Sequence, residues 1–148
     1  MIQEFHDILT ELVRAQARFI VVGAHALAAH GVPRATVDLD IWIGSDIGNS
    51  DRVYRALAAF GAPLEDLRIS RDDLAQPDTV TQFGVPPLRI DVLTSLSGVE
   101  FEAAWNTRME GVIEGVHVPI LDRESFIRNK RASGRKKDLA DLELLGAD

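Results

Sequence analysis

Apolar residues recur along this chain with two different periods, and the two alternate from segment to segment. Helical spacing predicts helices over residues 1–17, 24–29, 52–60, 99–108, 123–132 and 136–145. Residues 70–73 have the composition of a cap for a helix of one or two turns before Pro77. Short apolar or alternating runs predict strands over residues 19–22, 38–43, 79–83 and 88–93, and a hairpin over 112–120. This order favours a single α+β domain over residues 1–148.

Turn and capping residues set the expected ends of these elements. Gly23 ends the first strand, and Gly61 ends the helix that follows the second strand. Residues 44–50 are expected to form a turn, with Ser50 or Asn49 as the N-cap of the next helix. This cap assignment follows from residue type, because Ser and Asn side chains accept hydrogen bonds from a first helical turn.

The strand predicted over residues 38–43 carries two carboxylates on one face. Alternation places Asp38, Asp40 and Trp42 on that face and the three aliphatic residues on the other. The carboxylates are then about 6.6 Å apart along the strand, which is two rises of roughly 3.3 Å. Like charges about 4 Å apart repel by roughly 4 kcal/mol at an effective dielectric of 20, and a divalent cation between them reverses that sign.

A third acidic residue, Asp91, lies between Ile90 and Val92 in a later strand. Burying carboxylates without partners is unfavourable, so three on strand interiors indicate one shared cation site. An all-oxygen site suits Mg²⁺. The alternative is that Asp38 caps a turn and Asp40 is solvated, since Asp-x-Asp is a loose motif.

Composition narrows the class of protein. The chain has 46% hydrophobic and 26% charged residues, which is ordinary for a globular domain. It has no cysteine, so neither a disulfide framework nor a thiolate metal site is possible. We expect a cytoplasmic protein without a membrane segment, because no leader and no long apolar run is present. The net charge of -7 argues against broad, nonspecific nucleic-acid binding.

Charge is unevenly distributed, and the basic residues concentrate near the C-terminus. Residues 123–137 carry a local charge of +6, and all three lysines of the chain lie there. The basic residues of this segment are Arg123, Arg128, Lys130, Arg131, Arg135, Lys136 and Lys137. A solvated helix face is one interpretation, and a phosphate-binding segment is the other.

Four segments together resemble the nucleotidyltransferase superfamily whose fold DNA polymerase beta shares. They are VVGAHALAAHG (residues 21–31), RATVDLD (34–40), IDV (90–92) and KRASGRKKDLAD (130–141). The chain most resembles the small bacterial AbiEii-like, minimal nucleotidyltransferases, a branch associated with toxin–antitoxin systems. The resemblance implies a mixed β-sheet flanked by helices.

The resemblance also implies site roles, which begin with the carboxylates. Asp38 and Asp40 would bind two Mg²⁺ ions, with Mn²⁺ as the alternative metal. Asp91 would complete the metal site and help to activate the acceptor hydroxyl. The reaction would be in-line attack of a hydroxyl on the α-phosphorus of a nucleoside triphosphate, with release of pyrophosphate. The acceptor would be RNA, such as tRNA, or a protein.

Substrate-binding roles follow in the same way. Gly23 and Ala24 would contact the triphosphate, because Gly23 opens a helix whose backbone N–H groups can meet a phosphate. The superfamily has serine or glycine where this chain has Ala24, so one hydroxyl contact is lost. Lys130, with Lys137 as second choice, would neutralise phosphate charge. The remaining candidates are Arg34 and Thr36, for which a structural turn is an equal alternative.

Other polar and aromatic residues have simpler interpretations. Trp42 is expected to pack rather than to stack on a base. His25 and His30 are more often core or surface histidines than ligands. Acidic residues near the C-terminus are expected to be helix caps or surface acids, with Asp138 as a candidate to orient Lys130.

Three functions compete at this point. The leading one is a metal-dependent nucleotidyltransferase acting on an RNA or protein hydroxyl. The second is a noncatalytic module of the same fold that binds a partner, motivated by Ala24 and the small size. The third is a two-metal nuclease, which also uses clustered carboxylates. Acceptor recognition would require a cognate toxin or antitoxin chain, a second copy of this chain, or the acceptor itself.

Overall fold

The computed structural model describes residues 1–147 as a six-stranded sheet with helices packed on it. The strands are β1 (Phe19–Val22), β2 (Asp38–Ile43), β3 (Val80–Phe83), β4 (Arg89–Leu93), β5 (Met109–Ile113) and β6 (Val116–Ile120). The helices are α1 (Gln3–Arg14), α2 (Gly23–Ala29), α3 (Ile47–Phe60), α4 (Phe101–Thr107), α5 (Arg123–Ser133) and α6 (Lys136–Leu144). A 3-10 turn covers Asp73–Ala75. The predicted α+β fold with a mixed, helix-flanked sheet is confirmed.

The sheet is mixed, with the strand order β3-β4-β2-β1-β6-β5. β1 runs antiparallel to β2 and parallel to β6, whereas β2 and β4 run parallel to each other. The two outer pairs, β3 with β4 and β5 with β6, are antiparallel. Parallel pairing of β2 with β4 brings residues from distant parts of the chain into register at the centre of the sheet.

Apolar side chains form the core around the central strand β1. All four residues of β1 are buried, and α1 adds one apolar face made of Phe5, Ile8, Leu9 and Leu12. The ring of Trp42 is 1% exposed and meets Phe101 edge-on, with ring centroids 5.1 Å apart. Trp42 therefore packs in the core, as expected. Within residues 1–147, no helix is long and apolar enough to cross a lipid bilayer.

The expected turn over residues 44–50 is wrong. Helix α3 already begins at Ile47, and its N-cap is Asp46, whose carboxylate accepts a hydrogen bond from the Asn49 amide at 3.0 Å. Asn49 lies inside the helix because its side chain bonds elsewhere, accepting from the amide of Arg18 at 2.6 Å. Asp46 is itself a preferred N-cap residue type, so the sequence did contain a signal for this boundary. β5 likewise begins three residues before the predicted hairpin strand.

Candidate functional site

The register of β2 against β4 brings the predicted carboxylates together. Asp40 pairs with Asp91, and Asp38 pairs with Arg89, two residues earlier on both strands. Because alternate residues of a strand share one face, all four side chains lie on the same face of the sheet. We call these four residues the acidic wall. The expected convergence of Asp38, Asp40 and Asp91 on one surface is therefore present in the structure.

A cleft of about 600 Å³ lies in front of this wall. Gly23, Asp40, Arg89 and Asp91 line it on the sheet side. Residues from α5, α6 and the turn between them line the other side, namely Asn129, Lys130, Ser133, Arg135 and Lys137. We call this second set the basic wall. Lys130 and Lys137 thus reach the same cleft as Asp40 and Asp91, as the sequence predicted.

Asp40 carries the most perturbed carboxyl of the acidic wall. Burial raises the pKa of Asp40 to about 6, and the neighbouring negative charges of Asp91 and Asp38 act in the same direction. The guanidinium of Arg89 acts against this shift. A carboxyl that resists ionisation beside two other acids marks a place where the protein lacks positive charge.

Asp91 is held in place by a neighbour on the edge strand. Its side chain is almost buried, and its Oδ1 accepts a hydrogen bond of 2.9 Å from Nε2 of Gln82. Gln82 is paired with Asp91 in the β3–β4 register. Sequence reasoning missed Gln82, although alternation along the predicted strand over residues 79–83 places it on the face opposite Phe83.

Gly23 is required at its position for two reasons. Its φ of +68° lies in the left-handed region, which glycine adopts readily. A Cβ atom there would also collide with Oδ2 of Asp40, so the carboxylate lies directly against the glycine backbone. Gly23 therefore shapes the acidic wall. Whether it also contacts a triphosphate remains a prediction, as it does for the partly buried Ala24, which does not line the cleft.

The basic wall is organised by a buried carboxylate. Asp138 is fully buried, and Lys130 Nζ lies 3.3 Å from its Oδ1 and 3.4 Å from Oδ2 of Asp141. Arg135 donates to Asp138 Oδ2 through Nε at 2.8 Å and through its backbone amide at 3.2 Å. Burial would raise the pKa of Asp138, but the hydrogen bonds from Arg135 and the charge of Lys130 outweigh it and lower the pKa.

These contacts partly correct the interpretation of the C-terminal acids. Asp138 does cap α6 through the Arg135 amide, and it does hold Lys130. Neither Asp138 nor Asp141 is a surface acid, however, since both are buried. They lie inside because the cations of α5 and the residues before β2 compensate their charge. Arg34 is one of these cations, with Nη2 2.8 Å from Asp141 Oδ1.

The remaining candidates make local contacts. The hydroxyl of Thr36 accepts a 3.0 Å hydrogen bond from the amide of Asp38. This contact agrees with a structural turn at Thr36. Nε2 of His30 lies 2.7 Å from the carbonyl of Leu121. His25 packs edge-on against Phe5 with its Nε2 buried, and burial lowers its pKa. Arg34 and Thr36 do not line the cleft.

The donor set of the acidic wall suits a hard divalent cation. Within residues 1–147, no three His, Asp or Glu side chains are already grouped as a complete metal site. Asp40 and Asp91 nevertheless form a pair of oxygen donors with excess negative charge. Mg²⁺ commonly takes one or two protein carboxylates and completes its shell with water and substrate phosphates. The pair therefore fits such an ion, with Asp38 as the next nearest carboxylate along β2.

Comparison with solved structures gives the same fold. A candidate nucleotidyltransferase from Thermotoga maritima, known from a crystal structure, matches with a TM-score of 0.56 and 14% sequence identity. The match covers 96% of this chain and 88% of that chain. No functionally curated protein matches this chain. A family model described as "Nucleotidyltransferase of unknown function (DUF6036)" matches residues 1–145. With nearly its whole length matched, this chain belongs to the DUF6036 family of nucleotidyltransferases.

Proposed function

We propose that this protein is a metal-dependent nucleotidyltransferase that moves a nucleotide from a nucleoside triphosphate to a hydroxyl of RNA or protein. One observation carries the proposal: the β2–β4 register sets Asp40 beside Asp91, across one cleft from Lys130 and Lys137. Transfer of a nucleotidyl group depends mainly on positioning and on compensation of charge at phosphorus. A cleft with carboxylates on one wall and cations on the other provides both.

In this proposal the acidic wall holds the metal and the attacking group. Asp40 and Asp91 would bind Mg²⁺ or Mn²⁺, with Asp38 contributing from the neighbouring position. The bound metal would stabilise the charge that develops on the attacking and leaving oxygens. The acceptor oxygen bonds to the α-phosphorus, the bond to the bridging oxygen breaks, and pyrophosphate leaves. Asp91, oriented by Gln82, takes the proton of the hydroxyl.

The basic wall would bind the phosphates. Lys130 is oriented by Asp138 and Asp141, so its ammonium group loses little rotational freedom when an anion approaches. Arg135 and Lys137 line the same cleft and add positive charge. A volume of about 600 Å³ is within the usual range for a small-molecule pocket, which suits a nucleotide.

Finer assignments rest on the resembling segments. Residues 21–31 and 130–141 support an AbiEii-like relationship and a toxin–antitoxin context in the cytoplasm. A cognate toxin or antitoxin chain, or a second copy of this chain, would then complete acceptor recognition.

The test is transfer of label from each α-labelled nucleoside triphosphate to tRNA, total RNA or protein in the presence of Mg²⁺ or Mn²⁺. We expect label transfer by the wild type and none by Asp40→Asn or Asp91→Asn. Asp66→Asn is the matched control, because Asp66 is exposed and lies outside the cleft. Failure of the wild type with every acceptor and both metals would refute the proposal.

A noncatalytic, partner-binding role is the second candidate. It is favoured by Ala24 and by the engagement of Lys130 with two carboxylates, which leaves less of its charge for a substrate. Calorimetry separates the two roles. A noncatalytic module would show no nucleoside triphosphate binding with either metal, whereas the transferase would bind at least one.

A further inference from the structure

Arg89 contacts two of the three carboxylates of the acidic wall. Its Nη2 lies 3.3 Å from Oδ2 of Asp38, and its Nε lies 3.5 Å from Oδ1 of Asp91. The guanidinium therefore bridges β2 and β4 at the edge of the cleft, beside Asp40. Among residues 1–147, no other cation is within ion-pair distance of Asp38 or Asp91.

The ion pairs of Arg89 with Asp38 and Asp91 are weak enough for another cation to replace Arg89. The Arg89 side chain is 48% exposed, and both of its contacts are longer than ordinary charge-assisted hydrogen bonds. Arg18, in contrast, donates two hydrogen bonds of 2.8 and 2.6 Å to the carboxylate of Glu102. An exposed, long and monodentate ion pair contributes little to stability, so a stronger cation displaces it readily.

The position of Arg89 also gives it a second anion to bind. It lines the cleft that contains Lys130, Arg135 and Lys137. A guanidinium released from carboxylates at this site remains next to any polyphosphate that occupies the cleft. Guanidinium groups bind phosphate oxygens in a bidentate manner.

We propose that Arg89 is an exchangeable counter-cation that competes with a divalent metal ion for Asp38 and Asp91 and, once displaced, binds the phosphates of the substrate. Arg89 then couples the two ligands, because metal binding frees the group that the triphosphate uses. By linkage, the triphosphate strengthens metal binding by the same factor. The proposed competition between Arg89 and the metal ion is argued from the ion pairs alone. The proposed contact between Arg89 and the substrate phosphates rests on the proposed function.

The test is calorimetric titration of Mn²⁺ into metal-free protein at low salt, where screening is weak, and at pH 8, which is above the pKa of about 6 of Asp40. We expect Arg89→Gln to bind Mn²⁺ about two- to fivefold more tightly than the wild type, the range set by an exposed ion pair. Arg89→Lys keeps the positive charge and should lie near the wild type. Arg55→Gln is the control for net charge, because Arg55 pairs with Asp51 outside the cleft.

A second titration adds a nonhydrolysable triphosphate analogue. In the wild type, the analogue should tighten Mn²⁺ binding, and Arg89→Gln should lose the part of that enhancement that Arg89 contributes. Unchanged or weaker Mn²⁺ binding by Arg89→Gln, or no Mn²⁺ binding by any variant, overturns the competition. Full enhancement in Arg89→Gln overturns the phosphate contact. If the wild type binds Mn²⁺ but no analogue, the proposed function fails while the competition is still decided by the first titration.

Discussion

Two groups of buried or half-buried aspartates lie near one cleft, yet their surroundings are opposite. In the acidic wall, Asp40 and Asp91 lie side by side, and burial with neighbouring negative charge raises the pKa of Asp40 to about 6. Behind the basic wall, Asp138 and Asp141 each contact cations, and hydrogen bonds from Arg135 help to hold the pKa of Asp138 below its ordinary value in spite of burial.

This difference in charge balance distinguishes a structural group of aspartates, around Asp138, from a ligand-binding group, the acidic wall. The charges around Asp138 balance within the protein, so this group stabilises the α5–α6 pair and orients Lys130. The acidic wall has three carboxylates and one loosely held guanidinium, so its charge is balanced only when a further cation arrives. The partners of each group in the folded chain make this distinction.

The largest expected loss of stability comes from removing the buried negative charge of Asp138 behind the basic wall. Asp138→Asn leaves Lys130 and Arg135 without their shared buried partner, which typically destabilises by about 3 kcal/mol or more. Lys130 keeps Asp141 and Arg135 is exposed, so the lower end of that range is expected. Urea unfolding at pH 7 measures the loss.

The companion variant for that measurement is Asp40→Asn. Without metal, it removes a poorly compensated charge, so its free energy of unfolding should equal or exceed that of the wild type. If both variants destabilise equally, the contrast between the two walls is wrong.

Asp40 should also make the stability of the metal-free protein pH-dependent. Its pKa is about 6 in the folded state and 3.8 ordinarily, so the folded state holds this proton more tightly. The resulting stabilisation is complete below pH 3.8 and is lost as the pH rises through about 6. The loss is up to about 3 kcal/mol.

Urea unfolding in the presence of a chelator from pH 4 to 8 checks this prediction. The difference between wild type and Asp40→Asn isolates the contribution of one carboxyl. Parallel pH profiles for the two proteins would show that Asp40 titrates normally.

Gly23→Ala should disturb the acidic wall through packing. The new methyl group meets Oδ2 of Asp40 and forces an alanine into the left-handed region, for a loss of about 1–3 kcal/mol. Gly31→Ala is the matched control, because Gly31 also has positive φ but has open space around it. Thermal unfolding should show a larger loss for Gly23→Ala. The double variant Gly23→Ala, Asp40→Ala should recover part of it, and strict additivity would contradict the collision.

The smallest effect is expected at the rim of the basic wall. Arg34 is partly exposed and pairs with Asp141, which retains Lys130 when Arg34 is replaced. Arg34→Gln should therefore destabilise by about 1 kcal/mol or less. Triphosphate binding should change no more than stability does. A large loss of binding with unchanged stability would instead give Arg34 the phosphate contact that the resemblance implies.

Local sequence patterns predicted much of this site. Alternation along β2 placed Asp38 and Asp40 on one face, and the same rule placed Asp91 on the face of its strand opposite Ile90 and Val92. The family resemblance is confirmed at the level of nucleotidyltransferases, while the AbiEii-like assignment stays a prediction. The roles of Gln82 and Arg89 were missed, because each depends on a partner in another strand.

Sequence by itself determined most of the elements and the face on which each strand side chain lies, because these follow from local sterics and apolar periodicity. The family came from the resemblance of four short segments and not from periodicity. Tertiary structure decided which charges meet. The β2–β4 register pairs Asp40 with a residue 51 positions away, and the α5–α6 turn buries Asp138 beneath Lys130. Pairing over such distances depends on how the whole sheet packs, and no local pattern encodes it. Burial favours a higher pKa at both Asp40 and Asp138, and the opposite shifts arise because Asp40 has acidic neighbours whereas Asp138 accepts hydrogen bonds from Arg135 and Lys130.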